Sequence, residues 1–359
     1  MDLDSLLRAL VAAGGSDLHL KPGAPPHVRV DGQLVAMPGP ALAAADCAAL
    51  AAAALPPDQR ARLESEGEVE LARGVAGLGR FRITAYRQRG STALAVRRVA
   101  AAPPPLEELG LPVGSTRLVD PGRGLVLVCG PAGSGRTTTL HALIDHVNRT
   151  RPCHIVTVES PVEHLHADRL ALVSQREVGA DAPDAPAAVA RAGHIGADVV
   201  AVGDLSAPST VRAALAAAEG GALVIGVVPG TTATEALAGV IAAHGEHERE
   251  RARAGLSRIL RGVLAQRLVE RADGRGRVAA VEVVVGTPKI AAAVAQDRLG
   301  DLVRLAEEGE YNGMQTLDRA LVLLAREGMI AMRDAAALAT DAAGLELAVG
   351  AGAAPTPVG

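Results

Sequence analysis

The chain has 359 residues, of which 49% are hydrophobic, so it is long enough to form two domains with separate cores. Aromatic residues make up 1% and the net charge is −4, which argues against nucleic-acid binding by base stacking or bulk attraction. Cys47, Cys129 and Cys153 show no CxxC spacing and indicate structural thiols in a reducing compartment, with no metal site. Because Glu219 interrupts the most apolar stretch, residues 213–228, we expect a cytoplasmic protein without membrane insertion.

The first hundred residues predict a small mixed α/β domain. Apolar residues have helical spacing at residues 2–13, and strand-like alternation follows at residues 16–20, 27–35, 80–86 and 94–97. Within the second of these strand regions, Asp31 and Gly32 are typical of a tight β-hairpin. We therefore place one domain at residues 1–100 and a stiff, proline-rich linker at residues 101–118.

Residues 119–285 predict an open, mostly parallel sheet that is covered by helices on both faces. Short apolar runs of the kind found in buried strands lie at residues 125–129, 155–158, 199–202 and 223–228. From residue 255 to residue 271, apolar side chains such as Leu256 and Leu268 form one stripe at helical spacing, with arginines between them. We interpret these arginines as a solvated face or a subunit contact in preference to a nucleic-acid site, because the chain is acidic overall.

The last part of the chain predicts a helical region and a tail. Helical spacing continues through residues 286–343, including residues 314–318 and 321–326. Alanine, glycine and proline dominate residues 344–359, a composition that is typical of disorder. We expect a C-terminal helical region followed by a disordered tail.

One motif carries chemistry: GPAGSGRT at residues 130–137, between a predicted buried strand and a predicted helix. In such a loop, glycines let backbone amides converge on phosphates, and the hydroxyl of Thr137 is placed to reach Mg²⁺. Arg136 stands where these loops carry a lysine, and its guanidinium is larger, planar and forked. The alternative, a glycine-rich turn that binds nothing, is disfavoured because the other fixed positions match. The expected nucleotide-binding residues of this segment are Gly130, Gly133, Ser134, Gly135, Arg136, Thr137 and Thr138.

Several short sequence stretches, taken in their order along the chain, are specific to one protein family. They are SDLHL at residues 16–20, RVDG at 29–32, RFR at 80–82, RPCHI at 151–155, QREVG at 175–179, GTP at 286–288 and GMQTLD at 313–318. With the phosphate loop, this order resembles the type IV pilus retraction ATPases, the PilT-like family of secretion-type hexameric motors, over roughly residues 1–335. The resemblance implies an α/β fold in which a PAS-like N-terminal domain joins a RecA-like P-loop ATPase domain with C-terminal helices. It also implies a ring of six subunits, with ATP and Mg²⁺ held between the two domains.

The resemblance assigns roles to individual positions. Glu163 matches the glutamate that activates the attacking water, a task that suits a carboxylate beside the γ-phosphate. Asp204 stands in place of a glutamate that supports Mg²⁺ together with Thr137, and Arg123 matches an arginine that can reach nucleotide. Without the family match, Glu163 and its neighbour Glu159 would be interpreted as ordinary loop charges.

This chain also departs from the family at polar positions. Ser160 replaces an aspartate of the acidic stretch, and His194 and Ser206 replace two arginines. Pro229 replaces a histidine that couples the γ-phosphate to neighbouring subunits, and proline has no side chain that donates or accepts. The helix expected at residues 289–294 lacks the arginine and asparagine that the family needs for retraction. Together these changes indicate a relaxed demand for the motor cycle.

Three functions are compatible with this pattern. The favoured hypothesis is an ATP-binding ring subunit with weak or absent hydrolysis that partners an active PilT-type paralogue in a homo- or hetero-hexamer. The second is an active retraction motor in which Arg136 is the phosphate cation and Glu163 the base. A secretion or DNA-uptake ATPase is disfavoured, because such members have a longer N-terminal region and a four-cysteine zinc module. The first two hypotheses place the protein in the cytoplasm, peripheral to the inner-membrane pilus machine and its platform protein.

Overall fold

The computed structural model describes residues 2–30, 32–99, 103–112 and 114–351. These residues form two compact units. The first contains Met1–Ala102 together with Pro161–His166, and the second contains Pro103–Ser160 and Ala167–Gly359. Among the described residues, no helix is both long and apolar enough to span a membrane.

In the first unit, helices and one antiparallel sheet share a core. Its helices are α1 (Leu3–Ala12), α2 (Ala44–Ala54) and α3 (Pro57–Glu66). Its strands are β1 (Asp17–Leu20), β2 (His27–Val30), β3 (Gln33–Ala36), β4 (Glu68–Val75), β5 (Gly79–Gln88) and β6 (Ser91–Arg98). The strand order is β3-β2-β1-β6-β5-β4. Helix α1 begins where the Asp2 side chain accepts a hydrogen bond from the Ser5 backbone N–H, and its buried face is leucine.

The strands predicted in this unit are present. The β2–β3 hairpin pairs Val30 with Gln33, as the Asp31-Gly32 signal predicts, although Asp31 itself lies outside the described residues. Strands β5 and β6 contain the alternating segments at residues 80–86 and 94–97. Their inward side chains, such as Phe81 and Leu94, are fully buried. Alternation therefore predicted this sheet correctly because one of its faces packs on the core.

The second unit is built on a mostly parallel sheet. Its strands are β7 (Gly124–Cys129), β8 (His154–Glu159), β9 (Leu172–Glu177), β10 (Val199–Val202), β11 (Leu223–Val227), β12 (Leu260–Glu270) and β13 (Arg277–Val285). Its helices are α4 (Gly114–Arg117), α5 (Arg136–Thr150), α6 (Ala185–Ala192), α7 (Pro208–Glu219), α8 (Ala233–Ala242), α9 (Arg249–Ile259), α10 (Pro288–Ala295), α11 (Leu302–Glu308), α12 (Leu317–Arg326), α13 (Met332–Leu338) and α14 (Ala342–Ala351).

The strand order is β13-β12-β7-β11-β10-β8-β9, and the one antiparallel pair among the described strands of this sheet is β12–β13. Strands β7, β8, β10 and β11 coincide with the four apolar runs of the sequence. Nearly all of their residues are buried. The parallel sheet predicted for residues 119–285 is thus confirmed. Because parallel strands end at the same edge, the segments that follow β7, β10 and β11 lie along one side of the sheet.

The helix predicted at residues 255–271 is wrong over its second half. Helix α9 ends at Ile259, and residues 260–270 form β12, which lies between β7 and β13. Most of β12 is buried, so its apolar side chains do not alternate with polar ones. Apolar residues interrupted by Arg261, Gln266 and Arg267 fit either one face of a helix or a largely buried strand, and their spacing alone does not decide between the two.

Two boundary predictions also need correction. The segment expected as a linker, residues 101–118, contains a 3₁₀ turn at Leu106–Leu109 and helix α4, and the buried Leu106 and Leu118 belong to a core of the second unit. Residues 101, 102 and 113 of that segment lie outside the described residues. The disordered tail expected at residues 344–359 is wrong for residues 344–351, which belong to α14, and residues 352–359 lie outside the described part.

Candidate functional site

The loop at residues 130–137 joins the C-terminal end of β7 to the start of α5. Gly130 has a φ of +147°, and a Cβ atom there would lie 2.3 Å from the backbone oxygen of Gln266 and 2.5 Å from Ser134 Oγ. Gly135 caps α5 with a φ of +87°. Both positions require glycine, the first for space and conformation and the second for conformation. The sequence therefore places its glycines where this backbone needs them.

Gln266 holds the loop from the neighbouring strand β12. Its side chain is 2% exposed. Its Nε2 donates to the Ser134 carbonyl at 2.6 Å, and its Oε1 accepts from Thr139 Oγ1 on α5 at 2.8 Å. The parallel register pairs Ala265 with Cys129, which brings Gln266 beside the loop. Sequence reasoning missed this residue because it assigned residues 260–270 to a helix; a lone amide within a buried strand was the available signal.

Arg136 is the first residue of α5 and is partly buried. Within the described ranges, no carboxylate or other acceptor pairs with its guanidinium. Thr137 and Thr138 follow it and are also partly buried. The first N–H groups of a helix have no intrahelical acceptor, so a cation, a hydroxyl and helix N–H groups meet at this point. Such an arrangement can bind a polyanion.

Asp204 lies just beyond β10, at the same edge of the sheet as the loop. Its Oδ1 accepts a hydrogen bond from the Ser206 backbone N–H at 2.9 Å, and its Oδ2 accepts from Ser206 Oγ at 2.7 Å. Both carboxylate oxygens are therefore engaged by one neighbouring residue. In the part of the chain that the structure describes, no group of three or more His, Cys, Asp or Glu side chains could hold a metal ion.

Glu159 ends β8 and lies in a buried polar network that the sequence did not predict. It is 4% exposed, and its Oε2 lies 3.1 Å from Nε2 of the fully buried His141 on α5. Its Oε1 accepts from Thr157 Oγ1 at 2.6 Å and from Gln175 Nε2 at 3.2 Å. Burial disfavours the ionised carboxylate, but the contact with His141 and the hydrogen bonds from Thr157 and Gln175 outweigh it and lower the pKa of Glu159.

This network predicts a loss of stability at acid pH. The pKa of Glu159 is lowered in the folded protein from an ordinary value of 4.5, so the unfolded chain binds the proton more tightly. Its contribution is complete above that ordinary value and is lost as the pH falls through the folded pKa. We expect Glu159→Gln to lower the free energy of unfolding by about 1.5–3 kcal/mol at pH 7, and by less as the pH falls.

Urea unfolding of wild type and variant from pH 7 down to pH 3, which extends below the ordinary pKa of 4.5, measures this difference. Glu270→Gln, at the exposed end of β12, is the matched control and should change stability little at any pH. A loss from Glu159→Gln that stays constant over the whole interval would contradict the proposed ionised network.

Glu163 and Arg123, the other two residues expected at the site, have contacts of their own. Glu163 belongs to the first unit, where its Oε1 lies 3.6 Å from Nη2 of Arg82, whereas the loop belongs to the second unit. Arg123 precedes β7 and is exposed, and its carbonyl accepts from Arg261 Nε at 2.7 Å. Within the second unit, then, the loop residues and Asp204 lie along one edge of the sheet, and Arg123 lies at the start of β7.

The family model for type II/IV secretion system proteins matches residues 2–333. The type IV pilus retraction ATPase PilT of Pseudomonas aeruginosa is 36% identical over 335 residues, which are 93% of this chain and 97% of that protein. The chain belongs to the type II/IV secretion family, among its PilT-like pilus retraction ATPases. The type IV pilus ATPase PilU of the same organism is 33% identical, over 97% of this chain and 91% of PilU.

The solved structure of a PilT agrees with this membership. The crystal structure of the pilus retraction motor PilT with bound ADP has a TM-score of 0.89 and 35% identity, over 97% of this chain and 99% of that one. The ATPase DotB of Legionella pneumophila shares the fold, with a TM-score of 0.82 at 22% identity. The likeness to PilT confirms an N-terminal sheet domain and a parallel-sheet ATPase domain.

Proposed function

We propose that this PilT-like chain binds ATP with Mg²⁺ and hydrolyses it weakly or not at all, as a ring subunit or partner of an active paralogue in pilus retraction. The observation that carries the proposal is the state of Asp204. Both of its oxygens accept hydrogen bonds from Ser206, at 2.9 Å and 2.7 Å. Each oxygen keeps a lone pair for a metal, but the two hydrogen bonds fix the direction of the carboxylate and draw on the charge that would support a metal and its water.

Nucleotide binding is supported by the loop itself. Arg136 is a cation without a partner among the described residues, at the N-terminus of a helix that follows a glycine-rich turn. Such a site favours phosphate groups. Its relative PilT has been crystallised with ADP. We assign ATP to Gly130, Gly133, Ser134, Gly135, Arg136, Thr137 and Thr138. The family resemblance adds Arg123 as a further contact, although within this unit Arg123 lies at the other end of β7 from the loop.

Mg²⁺ fits the residues present, though with few protein ligands. Thr137 would supply a hydroxyl and Asp204 a carboxylate, and Mg²⁺ usually takes its remaining ligands from phosphates and water. The ion would neutralise charge on the phosphates when bound. Asp204 reaches one methylene less far than the glutamate of the family, and a misplacement of about 1 Å can cost on the order of 10² in rate. Glu163 remains the proposed general base.

The proposed partners follow from the relatives. PilT and PilU are both similar to this chain over nearly its full length, which supports a role beside a PilT-type paralogue. We propose a homo- or hetero-hexameric ring on the cytoplasmic side of the inner membrane, in contact with the pilus platform protein. The ring, the location and the platform contact come from the family resemblance.

An active motor is the second candidate, and the loop backbone favours it. The loop has the backbone of a phosphate-binding loop and lacks only its lysine. Its conformation rests on Gly130, Gly135 and the hydrogen bonds of Gln266. Mixing the purified protein with an active paralogue separates the two candidates. A partner should enter the paralogue's rings, by light scattering, without adding its own phosphate release. An active motor should release phosphate at a comparable rate alone.

Arg136→Lys tests the loop directly. We expect tighter nucleotide binding, because the compact ammonium fits between phosphates where the guanidinium has to displace loop atoms. A well-placed charged hydrogen bond contributes about 1.5–3 kcal/mol, so the affinity should rise at least several-fold. Calorimetry with a Mg²⁺-ATP analogue measures the change. Equal or weaker binding by the lysine variant would mean that the loop is adapted to arginine and would favour the active-motor candidate.

A further inference from the structure

The loop after β11, residues 229–232, is bound to the phosphate loop through the backbone. The Gly130 N–H donates to the Gly230 carbonyl at 2.8 Å, and the Val228 N–H donates to the Val128 carbonyl at 3.0 Å. The thiol of the buried Cys129 lies 3.5 Å from the Thr232 carbonyl. The position of Gly130 therefore depends on where residues 229–232 are held.

These residues lead into helix α8 through reciprocal side-chain caps. The Thr232 hydroxyl accepts from the Glu235 N–H at 3.1 Å. The Glu235 carboxylate accepts from the Thr231 N–H at 2.7 Å and from its hydroxyl at 2.8 Å. Caps of this kind fix the direction in which a chain enters a helix. The loop and the first turn of α8 thus form one rigid piece.

Glu282 joins this piece to strand β13. It is 6% exposed, and its Oε2 accepts the backbone N–H of Ala233, the first residue of α8, at 3.0 Å. Among the described residues, this N–H is the one hydrogen-bond donor to the Glu282 carboxylate. Burial raises the pKa of Glu282, and the Ala233 N–H and the nearby Arg267 oppose that rise. An apolar residue would fill a buried strand position at lower cost, and the hydrogen bond from the Ala233 N–H offsets part of the cost of burying this carboxylate.

We infer that Glu282 is a positioning residue: it anchors the first turn of α8 to β13 and so holds residues 229–232 against Gly130 of the phosphate loop. The inference rests on the proposed nucleotide function of that loop. Pro229 contributes no side-chain hydrogen bond, so in this protein the loop acts on the phosphate site through its backbone.

Two kinds of variant test this contact from both sides. Glu282→Val removes the acceptor, whereas Glu282→Gln keeps an acceptor oxygen without the charge. Ala233→Pro removes the donor at the first helical position, where proline is well tolerated and where Thr232 is already extended. Glu270→Val, at the exposed end of β12, is the matched control for losing a strand glutamate.

Hydrogen exchange of the nucleotide-free protein gives the first readout. We expect the amide of Gly130 to exchange about tenfold faster or more in Glu282→Val and Ala233→Pro, relative to amides of β8 in the same molecule. Glu282→Gln and Glu270→Val should stay near wild type. A loss of global stability with unchanged relative exchange at Gly130 would mean that Glu282 is merely structural, and it would overturn the inference.

Equilibrium binding of the Mg²⁺ complex of a non-hydrolysable ATP analogue gives the second readout. We expect about tenfold weaker binding by Glu282→Val and recovery by Glu282→Gln. Affinities of Glu282→Val and Ala233→Pro within twofold of wild type would overturn the inference. If Glu282→Val does not fold, the results of Ala233→Pro in both assays decide whether the Glu282–Ala233 contact positions the loop. If the wild type binds no analogue, the proposed function fails, and the exchange experiment still decides the role of Glu282.

Discussion

A strain that lacks its retraction ATPase is expected to remain without twitching motility when it receives a repaired form of this protein. The repaired form carries Arg136→Lys, Asp204→Glu, Ser206→Arg and Pro229→His, which restore four of the family's residues around the nucleotide and leave Ser160 and His194 unchanged. The expected defect lies downstream of these positions. A motor has to transmit a nucleotide-dependent change to the pilus machine through a structural element, and that element must differ between the two states.

Helix α10 is the element that the resemblance assigns to this output. Ala291 and Ala292 stand where retraction motors carry arginine and asparagine, and both are only partly buried, so longer polar side chains could reach solvent there. The one charged side chain of α10, Lys289, pairs with Glu308 at 3.3 Å. The helix therefore offers alanine methyl groups where the family offers a charge and an amide.

Complementation of the deletion strain measures twitching motility, which should be either almost absent or almost fully restored. The repaired form should fail, and the same form with Ala291→Arg and Ala292→Asn should restore motility. Matched expression of both forms, checked by immunoblot, is the control. Motility restored by the repaired form alone would show that the two alanines are neutral and that the output lies elsewhere.

The same repaired form is expected to hydrolyse ATP faster than the wild type by a factor on the order of 10². Three physical changes act in the same direction. Lysine brings a compact charge to the phosphates, glutamate at residue 204 regains one methylene of reach, and Ser206→Arg removes the hydroxyl that now donates to the carboxylate at 2.7 Å. The first change acts on the phosphate cation, and the other two act on the carboxylate at residue 204.

Phosphate release under saturating Mg²⁺-ATP measures this gain. Adding Glu163→Gln to the repaired form should abolish it, because the proposed base is then absent. Turnover of the repaired form equal to that of the wild type would mean that the substituted positions do not limit hydrolysis. If the increase in hydrolysis rate persists after Glu163→Gln, another residue is the general base.

The sequence predicted those parts of the fold in which the spacing of apolar residues fits only a helix or only a strand. The runs that became β7, β8, β10 and β11 are short, apolar and flanked by helical spacing, and this pattern is typical of parallel strands. Residues 260–270 follow a helix directly and mix apolar residues with arginine and glutamine, and the helical interpretation was wrong there. The helix–strand choice was decided by pairing with β7, a long-range contact that periodicity does not encode.

The phosphate loop was predictable because glycine spacing reports a local backbone requirement. The side-chain contacts that hold this loop and its surroundings in place were not predictable. Gln266, Glu282 and the His141–Glu159 pair reach their partners across the sheet, from residues distant in sequence. Likewise, the sequence placed Ser206 at a family arginine, but only the structure gives its hydrogen bonds to Asp204.

The central claim, nucleotide binding without efficient turnover, is tested most directly on the purified wild-type protein. Equilibrium binding of Mg²⁺-ATP is measured together with phosphate release from the same sample. We predict saturable binding that weakens in a Thr137→Ala variant, and phosphate release well below the typical enzymatic range of about 1 to 10³ per second. Turnover within that range that is lost in Glu163→Gln, or the absence of any saturable binding, would contradict the account.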